Sequence, residues 1–207
     1  MEWYREGSVV RAGLALNAFR LLRQYDLLSK DRAPDEQYEA TLALCVLQSL
    51  LTNCWEFHKS LNDRQRKEQF ESVFTTVDSL LQDPDVSVEN RFPGEFTPSD
   101  VLEHLRNALS HPALRDTSPP TTGYTTVLDP SGLVTRLRFI DSPDLNSKGN
   151  LTQEALRYFG SEPHRARVFV MELPFDRLRT LAEDLALFLA QPVLEKWTSD
   201  ELRRLQT

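Results

Sequence analysis

The sequence reads TPSDVLEHLRNALSHP from Thr97 to Pro112, and this stretch separates a helical part of the chain from a β-rich part. Thr97 is suited to cap a helix, Pro98 to occupy its first position, and Asp100 lies three residues after the cap. Pro112 disfavours helical backbone at the residue before it, so the predicted helix begins at Pro98 and ends near Ser110. Its apolar residues recur at helical spacing: Val101, Leu102, Leu105 and Leu109.

Before this stretch, the apolar spacing predicts three more helices, over about 9–28, 35–61 and 63–81. The second of them is apolar over much of its circumference, which is typical of a central helix. Residues 83–98 contain three prolines and a glycine and are therefore predicted to form a loop.

After it, two β-rich runs, Tyr124–Leu128 and Leu133–Ile140, flank the sequence Asp-Pro-Ser-Gly of residues 129–132, which favours a type I turn and a hairpin. A third strand is predicted over 167–173 and a last helix over 175–191. The predicted fold class is mainly α: one domain over 1–207, a bundle of four to five long helices with a small hairpin or three-stranded insertion, at about 121–173, before the last helix.

The composition excludes several classes of protein. With 40% hydrophobic residues, the bulk of the chain is able to form a core and is not disordered. A net charge of −7 argues against a protein whose whole surface binds nucleic acid. No apolar run is long enough to span a membrane, and the N-terminal residues lack the layout of a signal peptide, so we expect a cytoplasmic protein without membrane contact.

The residue types also argue against most catalytic centres. Two cysteines do not supply a four-ligand zinc site by themselves. His104 and His111 are seven residues apart and could share a helix face, but a metal there needs a third ligand, and Glu103 is expected on another face. No glycine-rich phosphate loop or nucleophile elbow occurs. We expect neither a metal nor another cofactor, and keep His104 and Glu56 only as accessory candidates.

The remaining constellation is the hexapeptide Arg106-Asn-Ala-Leu-Ser-His111, called the motif below. Five residues along a continuous helix turn by about 500°, which leaves Arg106 and His111 roughly 140° apart in projection. A helix that stops before Pro112 removes this constraint, because His111 then leaves the helical path. A guanidinium and an imidazole could in that case face one phosphate.

Arg followed directly by Asn, three residues and then His, at the end of a late helix, resembles the HEPN superfamily of ribonucleases. Their signature is Arg, four to six residues and His, with a polar residue after the Arg. Residues 105–112, the Gly-Tyr-Thr-Thr sequence at 123–126 and the Phe-Ile-Asp-Ser-Pro sequence at 139–143 also resemble a plasmid- and genome-borne subgroup. The resemblance covers about residues 1–190 in layout, but only the motif is specific.

The resemblance implies a metal-independent endoribonuclease. His111 would act as general base or acid at the 2′-hydroxyl and the leaving oxygen, since an imidazole exchanges protons near neutral pH. Arg106 would stabilise the charge of the transition state, and Asn107 would orient the phosphate or the imidazole. Attack by the 2′-hydroxyl excludes DNA as a substrate and leaves 2′,3′-cyclic phosphate and 5′-hydroxyl ends.

The resemblance also implies a homodimer that pairs two copies of the motif-bearing helix, and a toxin or anti-phage defence role with a possible partner antitoxin. Residues 101–170 contain eight Lys or Arg and seven Asp or Glu, so they are less acidic than the rest of the chain. If the hairpin lies beside the motif, Arg136 and Arg138 could hold flanking phosphates of RNA. Equally, their alternation with Leu137 and Phe139 is typical of the solvated face of an edge strand.

Two other functions stay open. A HEPN-like module without catalysis would bind a nucleotide or a protein. A helical structural protein would carry the motif by coincidence, with Arg106 at the surface and His111 favoured by the dipole at the end of its helix.

Overall fold

The computed structural model describes residues 2–29, 36–111, 122–130, 134–146, 150–159 and 166–195. Within these ranges the chain forms seven helices and four strands. In chain order they are α1 (Glu2–Ser29), α2 (Glu36–Lys59), α3 (Asp63–Gln69), α4 (Glu71–Gln82), β1 (Ser87–Asn90), α5 (Pro98–Leu109), β2 (Gly123–Leu128), β3 (Val134–Asp141), α6 (Gln153–Phe159), β4 (Phe169–Pro174) and α7 (Phe175–Leu194).

The predicted fold class, a mainly α helical bundle, is wrong. The four strands form one antiparallel sheet in the order β1-β4-β3-β2, so the fold mixes helices with a sheet. The fourth strand, β1, comes from the segment predicted as a loop. Pro84 and Pro93 flank it without entering it, and it pairs with β4 alone at the edge of the sheet, where neighbouring prolines are tolerated.

The predicted hairpin is confirmed. β2 and β3 pair antiparallel, with Thr126 opposite Leu137 and a shift in register between Val127 and Leu128. The third predicted strand is β4, which begins at Phe169 and pairs with β3 as well as with β1. The turn predicted at 129–132 lies partly outside the described residues.

The helices predicted over 9–28, 35–61 and 175–191 correspond to α1, α2 and α7, but the single helix predicted over 63–81 is two helices, α3 and α4. The break falls at Phe70, whose ring is fully buried between Phe57 and Phe188 at centroid distances of 5.6 and 4.8 Å. α6, only seven residues long, had no distinct signal in the sequence. Among the described helices, none has the length and apolarity that a bilayer crossing requires.

The chain divides into two compact units, residues 1–73 with 179–207, and residues 74–178. The first unit is helical among its described residues, with Leu47 and Leu51 of α2 in its core and an ion pair of 3.1 Å between Arg23 and Glu183. The second unit holds the whole sheet, α5 and α6. That residues 1–207 are a single domain stays a prediction.

In the second unit, α5 lies against one face of the sheet. Side chains alternate along a strand, and the residues on the α5 side are fully buried: Leu137, Phe139, Phe169 and Met171. Arg136 and Arg138 of β3 take the alternate positions and therefore lie on the opposite face. The sheet thus holds the motif-bearing helix by its buried face.

Candidate active site at helix α5

The start of α5 is fixed by its own side chains, as the sequence predicts. The backbone N–H of Asp100 donates to the hydroxyl of Thr97 at 3.4 Å, and the Asp100 carboxylate accepts from the backbone N–H of Thr97 at 2.8 Å. This reciprocal capping box satisfies two of the donors that a helix leaves free at its N-terminus. The helix ends at Leu109 with Ser110 as its C-cap, so the predicted end is also confirmed.

A buried carboxylate at the end of β3 binds two side chains of α5. Oδ2 of Asp141 lies 2.8 Å from Nδ1 of His104 and accepts from Nδ2 of Asn107 at 2.9 Å. A carboxylate oxygen accepts, so Nδ1 of His104 is the donor in this contact. His104 and Asn107 are three residues apart on the helix, so one carboxylate reaches both.

His104 is held in place by aromatic packing. Its ring lies 4.3 Å from that of Phe92 and 4.6 Å from that of Phe169, nearly parallel to the second, and the residue is only 7% exposed. From the sequence, His104 is only an accessory candidate, and Asp141 has no predicted role. The spacing of His104 and Asn107 predicts that they share a helix face. No local pattern identifies Asp141 as their partner, because it lies more than thirty residues away along the chain.

Arg106 and Asn107 of the motif are brought together. NH1 of Arg106 donates to Oδ1 of Asn107 at 3.0 Å, so Asn107 connects the guanidinium to the Asp141 carboxylate. Arg106 is half-buried, and its Nε is a buried donor with no partner among the described residues. A buried donor left unpaired is costly, whereas the rest of this half-buried guanidinium is accessible to a ligand.

His111, the third motif residue, is not part of the hydrogen-bond network that joins the first two. It is exposed just beyond α5, with its backbone N–H donating to the carbonyl of Ala108 at 3.3 Å. Within the described part of one chain, no hydrogen bond joins its side chain to Arg106 or Asn107. Within the described residues, hydrogen bonds therefore connect Arg106 and Asn107 but do not include the side chain of His111.

The two arginines predicted to hold flanking phosphates are placed elsewhere. Nε of Arg136 lies 2.7 Å from Glu172, and its NH2 donates to the backbone carbonyl of Asp85. Arg138 is exposed. Both lie on the sheet face opposite α5, so the structure does not bring them beside the motif.

A cavity of about 340 Å³ opens beside α5 in the second unit. Its lining includes Phe92, Glu95, Glu103, His104, Asn107 and Asp141. Another cavity, of about 360 Å³, lies in the first unit between such residues as Arg11 and Phe57, and no motif residue lines it. Of these two cavities, the one beside α5 is lined by a motif residue, Asn107.

Arg167 also lines the cavity beside α5, but its charge is matched by Asp144. The guanidinium contacts both oxygens of that carboxylate, with NH2 to Oδ1 at 2.7 Å and Nε to Oδ2 at 3.0 Å. Burial acts to raise the pKa of Asp144, but the hydrogen bonds and positive charge of Arg167 outweigh it and hold this pKa below its usual value. The same hydrogen bonds raise the pKa of Arg167.

Other reactive groups give no second centre in the described part of the chain. There, no three His, Cys, Asp or Glu side chains are arranged to hold a metal ion. Cys54 is buried in α2, and this burial raises the pKa of its thiol, so a reactive thiolate is disfavoured. Cys45, on the same helix, is exposed.

Comparison of the chain with protein-family models, with curated proteins and with solved structures gave no match in any of the three. What supports a function is therefore the arrangement of the site residues together with the motif.

Proposed function

We propose that this protein is a metal-independent endoribonuclease of the HEPN type, with Arg106, Asn107 and His111 at its active site. The observation that carries the proposal is the state of Arg106: its guanidinium is held by Asn107, and its buried Nε has no partner among the described residues. A guanidinium that is held in place and only half-buried is suited to form a charge-assisted hydrogen bond with a non-bridging phosphate oxygen.

In the proposed reaction, the imidazole of His111 removes the proton of an RNA 2′-hydroxyl. The 2′-oxygen attacks the adjacent phosphorus, the bond from phosphorus to the 5′-oxygen breaks, and the leaving oxygen receives a proton. Arg106 stabilises the additional negative charge on the phosphate oxygens. The products are a 2′,3′-cyclic phosphate and a 5′-hydroxyl, and neither a metal nor a protein nucleophile takes part.

The position of His111 supports a homodimer in this proposal. It is exposed beyond the end of α5, and within the described part of one chain no hydrogen bond joins its side chain to Arg106. Two copies of the chain related by a two-fold axis would place two copies of Arg106 and two of His111 around one phosphodiester. One imidazole would then accept the proton of the nucleophile, and the other would donate to the leaving oxygen. RNA and a second copy of the chain are the proposed partners.

The biological role proposed, a toxin or anti-phage effector with an antitoxin, rests on the resemblance alone. A second candidate function is an inactive HEPN-like module that binds a nucleotide or a protein. The hydrogen bonds of Asn107 favour this second function. Its side-chain amide already donates to Asp141 and accepts from Arg106, so fewer of its hydrogen-bonding sites remain for a substrate.

Cleavage of a mixed RNA pool in EDTA by the purified protein and its variants tests the proposal. We expect the wild type to cleave the RNA into fragments. In Arg106→Ala and in His111→Ala, the cleavage rate should fall by at least about 100-fold, because charge stabilisation and proton transfer contribute on this scale. Arg157→Ala, which removes an exposed arginine of α6, is the matched control and should stay within about twofold of wild type.

Far-UV circular dichroism establishes that each variant is folded. Equal cleavage by all four proteins would remove the motif from the reaction. No cleavage by the folded wild type would favour the binding module.

A further inference from the structure

The cavity beside α5 has the size and lining of a site for one nucleobase. Its volume of about 340 Å³ lies at the small end of ligand sites. Aromatic rings of Phe92, Phe96 and His104 contribute to its wall, and Asn90 and Asn107 add side-chain amides. Planar heteroaromatic ligands are typically bound by such a combination of rings and polar groups.

Four carboxylates line the cavity, and two of them already accept hydrogen bonds within the protein. Asp141 accepts from His104 and Asn107, and Asp100 is used by the capping box of α5. Glu95 and Glu103 also line the cavity, and neither forms a hydrogen bond or ion pair with any residue that the structure describes. Glu103 is half-buried on the rigid helix, and is the better placed of the two to be desolvated by a ligand.

The carboxylates that line the cavity outnumber its cations. The Glu103 carboxylate is an acceptor to which the structure gives no bond from a described residue. The cation in the lining, Arg167, is bound to Asp144. A phosphate group would be repelled here, whereas a planar ligand with adjacent N–H donors would be bound.

Among the RNA bases, guanine alone has two adjacent donors, N1–H and the 2-amino group, that one carboxylate accepts together. Guanine also carries the O6 acceptor. Oδ1 of Asn90 accepts from the backbone N–H of Phe92 at 3.0 Å, which leaves the Asn90 amide group to donate to such an oxygen. Adenine, cytosine and uracil present one donor beside acceptors on the same edge.

We propose that this cavity binds a guanine base of the RNA substrate, with the Glu103 carboxylate accepting from N1–H and the 2-amino group. That the base belongs to RNA rests on the proposed function, and the site would make the ribonuclease guanine-specific. Asn107 lines the cavity and holds Arg106, so a bound base and the adjacent phosphate would lie on neighbouring parts of one surface.

Binding of nucleosides to the full chain tests this without any cleavage. Guanosine, inosine and adenosine are titrated into the ¹⁵N-labelled protein, and the shifts of its backbone amide signals give each Kd. We expect guanosine to bind at least about tenfold more tightly than inosine, which lacks only the 2-amino group, and adenosine to bind no better than inosine.

Glu103→Gln is expected to weaken guanosine binding about tenfold or more, because the amide accepts at one atom only. Glu154→Gln, an exposed position of α6, is the matched control and should leave Kd unchanged. Thermal unfolding of both variants shows whether the fold is intact, and removal of the bulk carboxylate by Glu103→Ala gives a second measure of the same contact.

Equal binding of guanosine and inosine would overturn the proposal, as would unchanged binding by both folded Glu103 variants. Tighter binding of methylguanidinium than of guanosine would also overturn it, since the cavity would then be a site for a cationic side chain. RNA cleavage without guanosine binding leaves the ribonuclease intact and removes the guanine site. Guanosine binding without RNA cleavage would support the guanine site and contradict the proposed ribonuclease activity.

Discussion

Asp141 is the residue that joins the sheet to the motif. It is 3% exposed and accepts hydrogen bonds from two side chains of α5, which compensates for the cost of burying a carboxylate. Asn107 also accepts from Arg106, so the position of the guanidinium depends on Asp141. This residue is neither adjacent to the motif in the sequence nor part of α5. The geometry of Arg106 is therefore a property of the folded second unit.

The Asp144–Arg167 pair predicts a specific response to acid. The pKa of Asp144 is lowered in the folded protein, so its carboxylate stabilises the fold above the unfolded value of about 3.9, and this contribution is lost as the pH falls through the lower folded value. We expect the free energy of unfolding, from urea titrations at pH 7 and at about pH 3, to fall less for Asp144→Asn than for wild type. Identical losses in the two proteins would contradict this account of the pair.

At the scale of residues, the sequence identified the motif but not the groups that position it. Arg106 and Asn107 are neighbours, and their spacing to His111 is visible in one hexapeptide. Asp141, in contrast, lies 37 residues from His104 and 34 from Asn107 along the chain. Such a contact depends on strand register, which local patterns do not specify.

At the scale of elements, α5 is the best-predicted part of the molecule, because residues within and next to it determine where it starts and ends. Its capping box gives a direct prediction. Thr97→Ala removes the hydroxyl that accepts from Asp100 N–H, and should lower the free energy of unfolding by about 1 kcal/mol in urea titrations. Thr97→Ser keeps an oxygen there and should cost much less. Equal losses in both variants would show that the cap is not what stabilises this terminus.

The strand β1 and the break between α3 and α4 are not predicted by the local sequence pattern, because both depend on contacts with distant residues. β1 has only four residues, too few for alternation to separate a strand from a loop between prolines. The apolar spacing continues through Phe70, although the backbone breaks there between α3 and α4 to bury that ring. Periodicity reports which face of a segment is apolar, but the break depends on packing against residues far along the chain.

At the scale of the whole molecule, the fold class depends on one long-range pairing. β1 joins the sheet through β4, with Ser87 opposite Glu172, and this pairing converts a three-stranded insertion into a four-stranded sheet. The hairpin between β2 and β3 was predictable because its strands adjoin in sequence. The place of β1 was not, since its partner lies some eighty residues away.

The proposed active site also makes a prediction about assembly. If two copies of α5 complete one site, the protein in solution should have about twice the chain mass of 23.8 kDa, measured by light scattering on a size-exclusion column. A monomer mass at the concentration at which RNA is cleaved would contradict the two-fold site, and would require His111 to reach Arg106 within one chain.

The most direct measurement uses an RNA oligonucleotide with one cleaved linkage and a second oligonucleotide in which only the 2′-hydroxyl at that linkage is replaced by hydrogen. Cleavage rates in EDTA and the end groups of the products are measured for wild type and for His111→Ala. We predict a 2′,3′-cyclic phosphate and a 5′-hydroxyl from the first RNA with wild type only, and no cleavage of the substituted linkage by either protein. Cleavage of the substituted linkage, or a product with a 5′-phosphate, would contradict attack by the 2′-hydroxyl and with it the proposed ribonuclease mechanism.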